Sequence, residues 1–319
     1  MTPVRLDQVK FTASGLSRPE LVLTTRSGDF FVSDKRGGIS TFRKDGPVKL
    51  IKARNAPEGF LPNGFALLPD RSFLIANLGP TGGVYHMTPD GELTPRLLEI
   101  NGRQLPPTNF VGIDREDRIW VTVSTWLIPR EPAFRKGYAD GFIVLIDKKG
   151  ARIVASHIAS TNEGIVSPDG EWLYVNETMG QRTSRYRIER DGSLGAKELV
   201  AQYGPGTFPD GLTFDAEGGV WIVSVASNRV VRTDAKGKQE ILLEDSDPEN
   251  VRQVIEAFEN GTFGRAQVDS GRDRLLANLS SLSFGDEDLQ TVYLGSLFGE
   301  RISYFRTPIK GAEPIHWNF

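Results

Sequence analysis

The chain reads as an all-β protein, a six-bladed β-propeller, on three observations. First, one short strand signature occurs six times: Phe31-Val32-Ser33-Asp34, Leu74-Ile75-Ala76-Asn77, Trp120-Val121-Thr122-Val123, Tyr174-Val175-Asn176-Glu177, Trp221-Ile222-Val223-Ser224 and Tyr293-Leu294-Gly295-Ser296. Second, the copies start at 31, 74, 120, 174, 221 and 293. A period of about 40–50 residues, rich in aromatic and β-branched residues, marks a propeller blade. Third, the stretch from Asp210 to Glu244 holds four short apolar segments parted by turns at Ala216-Glu217-Gly218-Gly219, Ala226-Ser227-Asn228 and Asp234-Ala235-Lys236-Gly237-Lys238. Gly, Asn and Asp are turn residues, so this is the grammar of an antiparallel four-stranded meander. The same pattern returns at Asn63 to Asp70 and at Asn162 to Gly170, each with a Pro-Asp turn after the first strand.

Composition narrows the class. Lys and Arg number 38 against 41 Asp and Glu, for a formal charge of −3, so no basic stripe invites nucleic acid. Glycine (34) and proline (19) are spread between the strand signatures instead of gathered in a linker, and one domain over residues 1–319 is expected. There is no cysteine, which excludes disulfides and thiolate metal sites. No apolar run approaches the ~20 residues of a membrane span, and residues 1–7 lack the apolar core of a signal peptide. The expected location is cytoplasmic, the expected partner a small-molecule substrate, and the oligomeric state is open.

Antiparallel wiring then says where function gathers. Second and fourth strands end at the face where first strands begin, so loops leaving them lie over that face. Two departures from the repeat fall in such loops. One covers about 124–140, with Trp126, Arg130, Phe134 and Arg135; the other covers about 245–278, where Asp247-Pro248 opens a short helix as N-cap and N1. Long loops in compact domains tend to be functional covers, and both are expected to roof one face.

Under that roof the starts of the first strands carry Glu20, Asn63, Asn109, Asn162 and Asp210 in phase with the signature, with the sixth position unassigned around 279–281. Two carboxylates and up to three amide oxygens make a hard-oxygen set, suited to Ca²⁺ or, with tighter geometry, Mg²⁺ or Mn²⁺; Zn²⁺ ordinarily takes His or Cys. Any one of these residues alone would pass as an ordinary turn residue. Their agreement across blades makes them candidate ligands.

These residues carry a resemblance. The chain resembles the senescence marker protein/gluconolactonase/regucalcin family of six-bladed propellers over nearly its whole length, through Arg18-Pro19-Glu20-Leu21-Val22, Thr108-Asn109, Thr161-Asn162 with Ser167-Pro168-Asp169-Gly170, and Pro209-Asp210-Gly211-Leu212. The resemblance implies one divalent cation held by Glu20, Asn162 and Asp210, with Asn109 as a further ligand or a substrate contact. It also implies hydrolysis of a sugar lactone, with Asp210 handling the proton. The chain departs from the family at three positions: Phe110 where Asp is frequent, Pro107 where Arg is common, and Glu163 where Gly is frequent. A lost Arg and a gained Phe favour a lactone more apolar than a sugar acid, or another ester-like electrophile.

Opening a lactone requires a polarised carbonyl, an activated water and a stabilised oxyanion, and a dication serves the first and third needs. Asp210 is the first candidate for general base. Glu163, a hydroxide generated at the cation, and direct attack by Asp210 stand as alternatives. Asn63, Asn109, Phe110, Trp126 and Arg130 are the expected substrate contacts. The histidines, His86, His157 and His316, accompany no nucleophile elbow. A phosphotriesterase-like or other ester hydrolase and a non-enzymatic calcium- or ligand-binding propeller are the rival readings. A metal-free condensing propeller fits less well, because Glu20, Asn162 and Asp210 are retained together.

Overall fold

The computed structural model describes residues 2–319 and shows six four-stranded antiparallel sheets arranged in a ring, with little helix. In chain order the blades open with first strands Val22–Thr24, Pro62–Leu67, Phe110–Ile113, Thr161–Val166, Phe208–Phe214 and Leu279–Gly285. Second strands are Asp29–Asp34, Phe73–Asn77, Ile119–Val123, Trp172–Glu177, Val220–Val225 and Thr291–Ser296. Each copy of the signature falls within one of these six. The reason is packing. A second strand lies inside its own sheet with a neighbouring blade against each face, so every residue of Phe73–Asn77, Ile119–Val123, Val220–Val225 and Thr291–Ser296 is buried. A strand buried on both faces must be apolar or small throughout, and that uniformity makes the repeat visible. Outermost strands lack a neighbour on one side: Leu194–Gln202 is half-buried or exposed at all but one position.

Neighbouring blades interlock through their aromatic residues. Trp221 of the fifth blade meets Phe284 of the sixth edge-on, ring centres 5.0 Å apart, within a cluster that also takes in Val223, Leu282 and Leu294. Fully burying one such side chain contributes about 2–3 kcal/mol.

Ring closure comes from the two ends of the chain. The fourth strand of the sixth blade is Lys10–Thr12, paired antiparallel with Ile302–Arg306 through Lys10↔Tyr304, Phe11↔Ser303 and Thr12↔Ile302. The last blade is therefore stitched by residues nearly the whole chain apart, which leaves no open seam in the ring.

Four of the six first strands carry a β-bulge near their start. The register skips between Pro62 and Phe65, between Thr161 and Gly164, between Pro209 and Leu212, and between Leu279 and Ser281. The extra residues are Asn63-Gly64, Asn162-Glu163, Asp210-Gly211 and Ser280. A bulge turns a side chain out of the ordinary alternation, and these bring Asn63, Asn162 and Asp210 to the channel mouth. Gly211 is dictated by the approach of the next blade: a Cβ there would stand 2.6 Å from the Ser281 Cα.

The sixth ring position is thus Ser280, whose hydroxyl donates to the Glu20 carbonyl at 2.8 Å. Among the described residues no helix is long and apolar enough to cross a membrane.

Candidate active site

All five oxygen-bearing residues expected at the strand entries, Glu20, Asn63, Asn109, Asn162 and Asp210, line one cavity of about 60 Å³. The same cavity is lined by Ser124, Arg130 and Phe134 from the segment after the third blade's second strand, and by Arg265 and Val268 from the segment between the fifth and sixth blades. These two segments meet in an apolar cluster: Phe134 with Met179, Phe208, Val254, Phe258, Phe263, Val268 and Leu297. Helix α1 (Pro248–Glu259) supplies Val254 and Phe258. Its N-terminus forms where expected, with the Asp247 carboxylate accepting from the Glu249 and Asn250 amides and Pro248 in the first turn, worth about 1 kcal/mol. Asn278 ties the segment down, donating to the Val268 carbonyl and accepting from the Ala226 amide.

Three oxygens aimed into this space have no hydrogen-bond partner: Glu20 Oε2, Asn109 Oδ1 and Asn162 Oδ1, all buried. Buried acceptors are ordinarily paired, and their convergence is what a cation needs. The orientation of Asn162 follows from its other end, since its Nδ2 donates to Thr178 Oγ1 at 3.0 Å and leaves the carbonyl oxygen facing the cavity. Thr178 in turn donates to the Pro209 carbonyl, and Asn176 Nδ2 donates to the carbonyls of Asp210 and Gly211. Asn176 therefore holds the Asp210 bulge in place. Glu177, next to it, is satisfied by Arg182, Ser184 and the Ala159 amide, a structural carboxylate.

Asn63 has a different part. Its Oδ1 accepts from Arg18 at 2.8 Å and its Nδ2 donates to the Asn109 carbonyl at 2.8 Å. Both ends of the amide are engaged, so Asn63 positions Arg18 and the Asn109 backbone.

Burial and mutual repulsion act on both carboxylates of the cavity. Burial raises the Glu20 pKa to about 7, against the opposing pull of Arg18 and Arg130. Burial, then the Glu20 charge, holds Asp210 well above the usual carboxylate range. Two buried carboxylates facing one cavity raise each other's pKa, and a dication would favour the charged forms of its ligands. Among the described residues no group of three His, Cys, Asp or Glu side chains stands ready for a metal; the set that fits is two carboxylates completed by amide oxygens.

The remaining candidates lie elsewhere. Glu163 and Phe110 line a second cavity, of about 130 Å³, that runs down the channel on the far side of the ring toward Ala312 to His316. Within the bulge, Asn162 and Glu163 are consecutive and face opposite ways. Glu163 Oε2 accepts from the Leu212 amide at 2.9 Å, Oε1 is without a partner, and burial raises its pKa well above the usual range. Phe110 packs with Phe65, Phe73 and Leu21. Trp126 is stacked on Phe142 (centroids 4.2 Å, 17° between planes) beneath the Arg103 guanidinium, outside the lining of either cavity. Arg135 is exposed over Tyr138, and His157 is exposed on an outer strand.

Two lining residues were not singled out by the sequence. Arg18 and Arg265 face the same cavity as Arg130; Arg18 stands in the Arg18-Pro19-Glu20 motif without a role of its own, and nothing in the local sequence of Arg265 distinguishes it from a solvated arginine.

Several known proteins are similar to this chain. A 6-deoxy-6-sulfogluconolactonase of Pseudomonas putida is 26% identical over 236 residues, covering 73% of this chain and 67% of that protein. Among solved structures, a gluconolactonase of Xanthomonas campestris superposes with a TM-score of 0.67 at 19% identity, covering 95% of this chain and 91% of its own. A calcium-binding regucalcin of Agrobacterium tumefaciens gives 0.68 at 16% identity, covering 97% and 98%. A sequence model of the SMP-30/Gluconolactonase/LRE-like region matches residues 26–245, a span that contains Asn63, Asn109, Asn162 and Asp210. The chain belongs to the SMP-30/gluconolactonase/LRE-like family.

Proposed function

We propose that the protein is a divalent-cation-dependent lactonase whose reaction takes place in the cavity between the ring of strand entries and the roof. The observation that carries this reading is the convergence of the orphaned oxygens of Glu20, Asn109 and Asn162 with the Asp210 carboxylate in one buried space, in a chain of a gluconolactonase-containing family.

Glu20, Asn109, Asn162 and Asp210 would hold the cation, Ca²⁺ first and Mg²⁺, Mn²⁺ or Zn²⁺ as alternatives. When bound, it supplies polarisation of the ester carbonyl and stabilisation of the negative charge that develops on its oxygen. Asp210 accepts the proton of the attacking water at a carboxylate oxygen and returns it to the ring oxygen as the acyl C–O bond breaks, giving the open hydroxy acid. Asn176 and Thr178, bonded to the backbone on both sides of it, keep this carboxylate aimed. Phe134, Val268 and Leu297 wall the cavity with apolar surface and exclude bulk water. Glu163, on the channel side, sits behind the ligand ring and acts by holding the Leu212 backbone beside Asp210.

The test is ring opening followed by a pH indicator, using metal-stripped protein and add-back of Ca²⁺, Mg²⁺, Mn²⁺ or Zn²⁺, over lactones from gluconolactone to apolar γ- and δ-lactones. Cation-dependent turnover is expected. Tight cation binding with no lactone opened would transfer the site to another ester-like electrophile or to a purely binding role.

A further inference from the structure

Three guanidinium groups face the candidate cavity: Arg18 from the segment before the first blade, Arg130 from the roof segment of the third, and Arg265 from the short helix α2 (Arg265–Val268) between the fifth and sixth. They come from distant parts of the chain and are brought to one cavity where the two loop segments pack on each other. Arg18 is pinned by Asn63 Oδ1 and Arg265 by the Asp269 carboxylate, at 2.8 Å and 2.7 Å. Arg130 is half-buried over the Phe134 ring, 5.6 Å from its centre, and forms no ion pair among the described residues. A partly buried arginine is ordinarily paired.

Charge makes the arrangement more demanding. Glu20 and Asp210 are the carboxylates on the same lining, and both belong to the set that would hold the cation. With their charge taken up there, the three arginines are left with Asp269, which pairs with Arg265, and the exposed Glu131 beside Arg130. Their mutual repulsion is felt: burial first, then the charges of Arg265 and Arg18, lower the Arg130 pKa to about 10. A cluster of like charges in a recess is stable when an anion completes it. Guanidinium forks match the oxygens of a carboxylate, sulfonate or phosphate two at a time.

We propose that Arg18, Arg130 and Arg265 form a receptor for an anionic substituent on the substrate, a sulfonate, phosphate or carboxylate carried away from the reacting ester. This assignment rests on the lactonase reading for its substrate and, for its anion, on the arginine cluster together with a cation on Glu20 and Asp210. It reverses the preference for an apolar lactone that Phe110 and Pro107 suggested, because Phe110 lines the other cavity.

Two measurements test it. The first compares kcat/KM for glucono-1,5-lactone with that for the same lactone bearing a 6-phosphate or 6-sulfonate, in wild type, Arg130→Gln and Arg265→Gln. The charged lactones are expected to be preferred, and the preference ratio should fall about tenfold to a hundredfold in each variant. The second is calorimetric titration of inorganic sulfate into metal-free and Ca²⁺-loaded protein. Saturable binding is expected, tighter with Ca²⁺, and weakened in Arg130→Gln. Equal kcat/KM for neutral and charged lactones would overturn the proposal, as would sulfate binding indifferent to both substitutions. Were no lactone opened at all, the lactonase reading would fall, and the sulfate titration would still decide whether the arginines form an anion site.

Discussion

Two sets of buried carboxylates occupy opposite faces of this propeller, and their surroundings differ in kind. Where the first strand of a blade turns into the second, Asp114 and Asp215 are saturated with donors. Asp114 accepts from Arg118 Nε and Trp120 Nε1 at 2.6 and 2.8 Å, and Asp215 from Arg232 Nε and Trp221 Nε1 at 2.7 and 2.8 Å, with backbone amides in addition. At the other end of the blades' first strands, Glu20 has an oxygen without a partner, and Asp210 shares its cavity. Arg232 and the Trp221 indole hold Asp215 below the usual carboxylate range despite its burial, whereas burial raises Glu20, Asp210 and Glu163. A carboxylate that finishes a turn is built to be ionised and silent. One left short of partners at a channel mouth is held against its own desolvation, which marks it as a candidate for binding or catalysis.

The comparison can be broken most sharply at Asp210. Asp210→Ala is expected to lower lactone turnover by about a thousandfold or more and to abolish saturable cation binding, with strand content by circular dichroism unchanged. Full activity in that variant would remove Asp210 from the mechanism. At the structural set the outcome should invert. Asp215→Ala leaves Arg232 and the Trp221 N–H uncompensated in the interior, and chemical denaturation should show a loss of about 3 kcal/mol with cation affinity retained. A loss below about 1 kcal/mol would mean that Glu217, which also meets Arg232, carries the pairing instead.

The smallest effect is in the pH dependence of stability, where the two sets have opposite signs. Glu20 is raised from 4.5 to about 7 on folding, so its contribution is full below pH 4.5 and is lost as pH rises toward 7. Asp215 is lowered from 3.8; its contribution is present above pH 3.8 and disappears as pH falls below that value. Metal-free protein should therefore lose stability between about pH 4.5 and 7, and a saturating dication should remove that loss. The acid limb below pH 4 should persist with cation and be reduced in Asp215→Asn. A thermal-melt series across pH, with and without Ca²⁺, reads both limbs. If the neutral-pH loss survived cation saturation, Glu20 would not be a ligand.

Much of this was legible beforehand because propeller blades advertise their most buried strand. The residues from Trp221 to Ser224 and from Tyr293 to Ser296 lie between two neighbouring sheets, so no polar alternation interrupts them and the period stands out. The ring of oxygens at the strand entries was legible for a related reason. Glu20, Asn63, Asn109, Asn162 and Asp210 keep pace with that period, and a repeated position in a closed ring must converge on the axis. Individual directions were harder to read. Asn162 and Glu163 are adjacent in sequence yet face different cavities, because a bulge separates them. Trp126, expected over the site, instead packs on Phe142.

The sequence by itself determined the six blades, the turns within them, the placement of both long segments and the set of oxygens at the strand entries. Each of these depends on local periodicity and local turn chemistry. The tertiary structure alone decided how the ring closes, since Lys10–Thr12 could have joined any exposed edge and joins Ile302–Arg306 because the sixth blade lacks its outer strand. It alone decided that Ser280 is the sixth ring residue, and that Arg18, Arg130 and Arg265 share a cavity. Long flexible side chains on separate loops have no period to betray them. Their meeting follows from the packing of Phe134 against Phe258, Phe263 and Val268, which sets one roof segment on the other and carries the charges in with it.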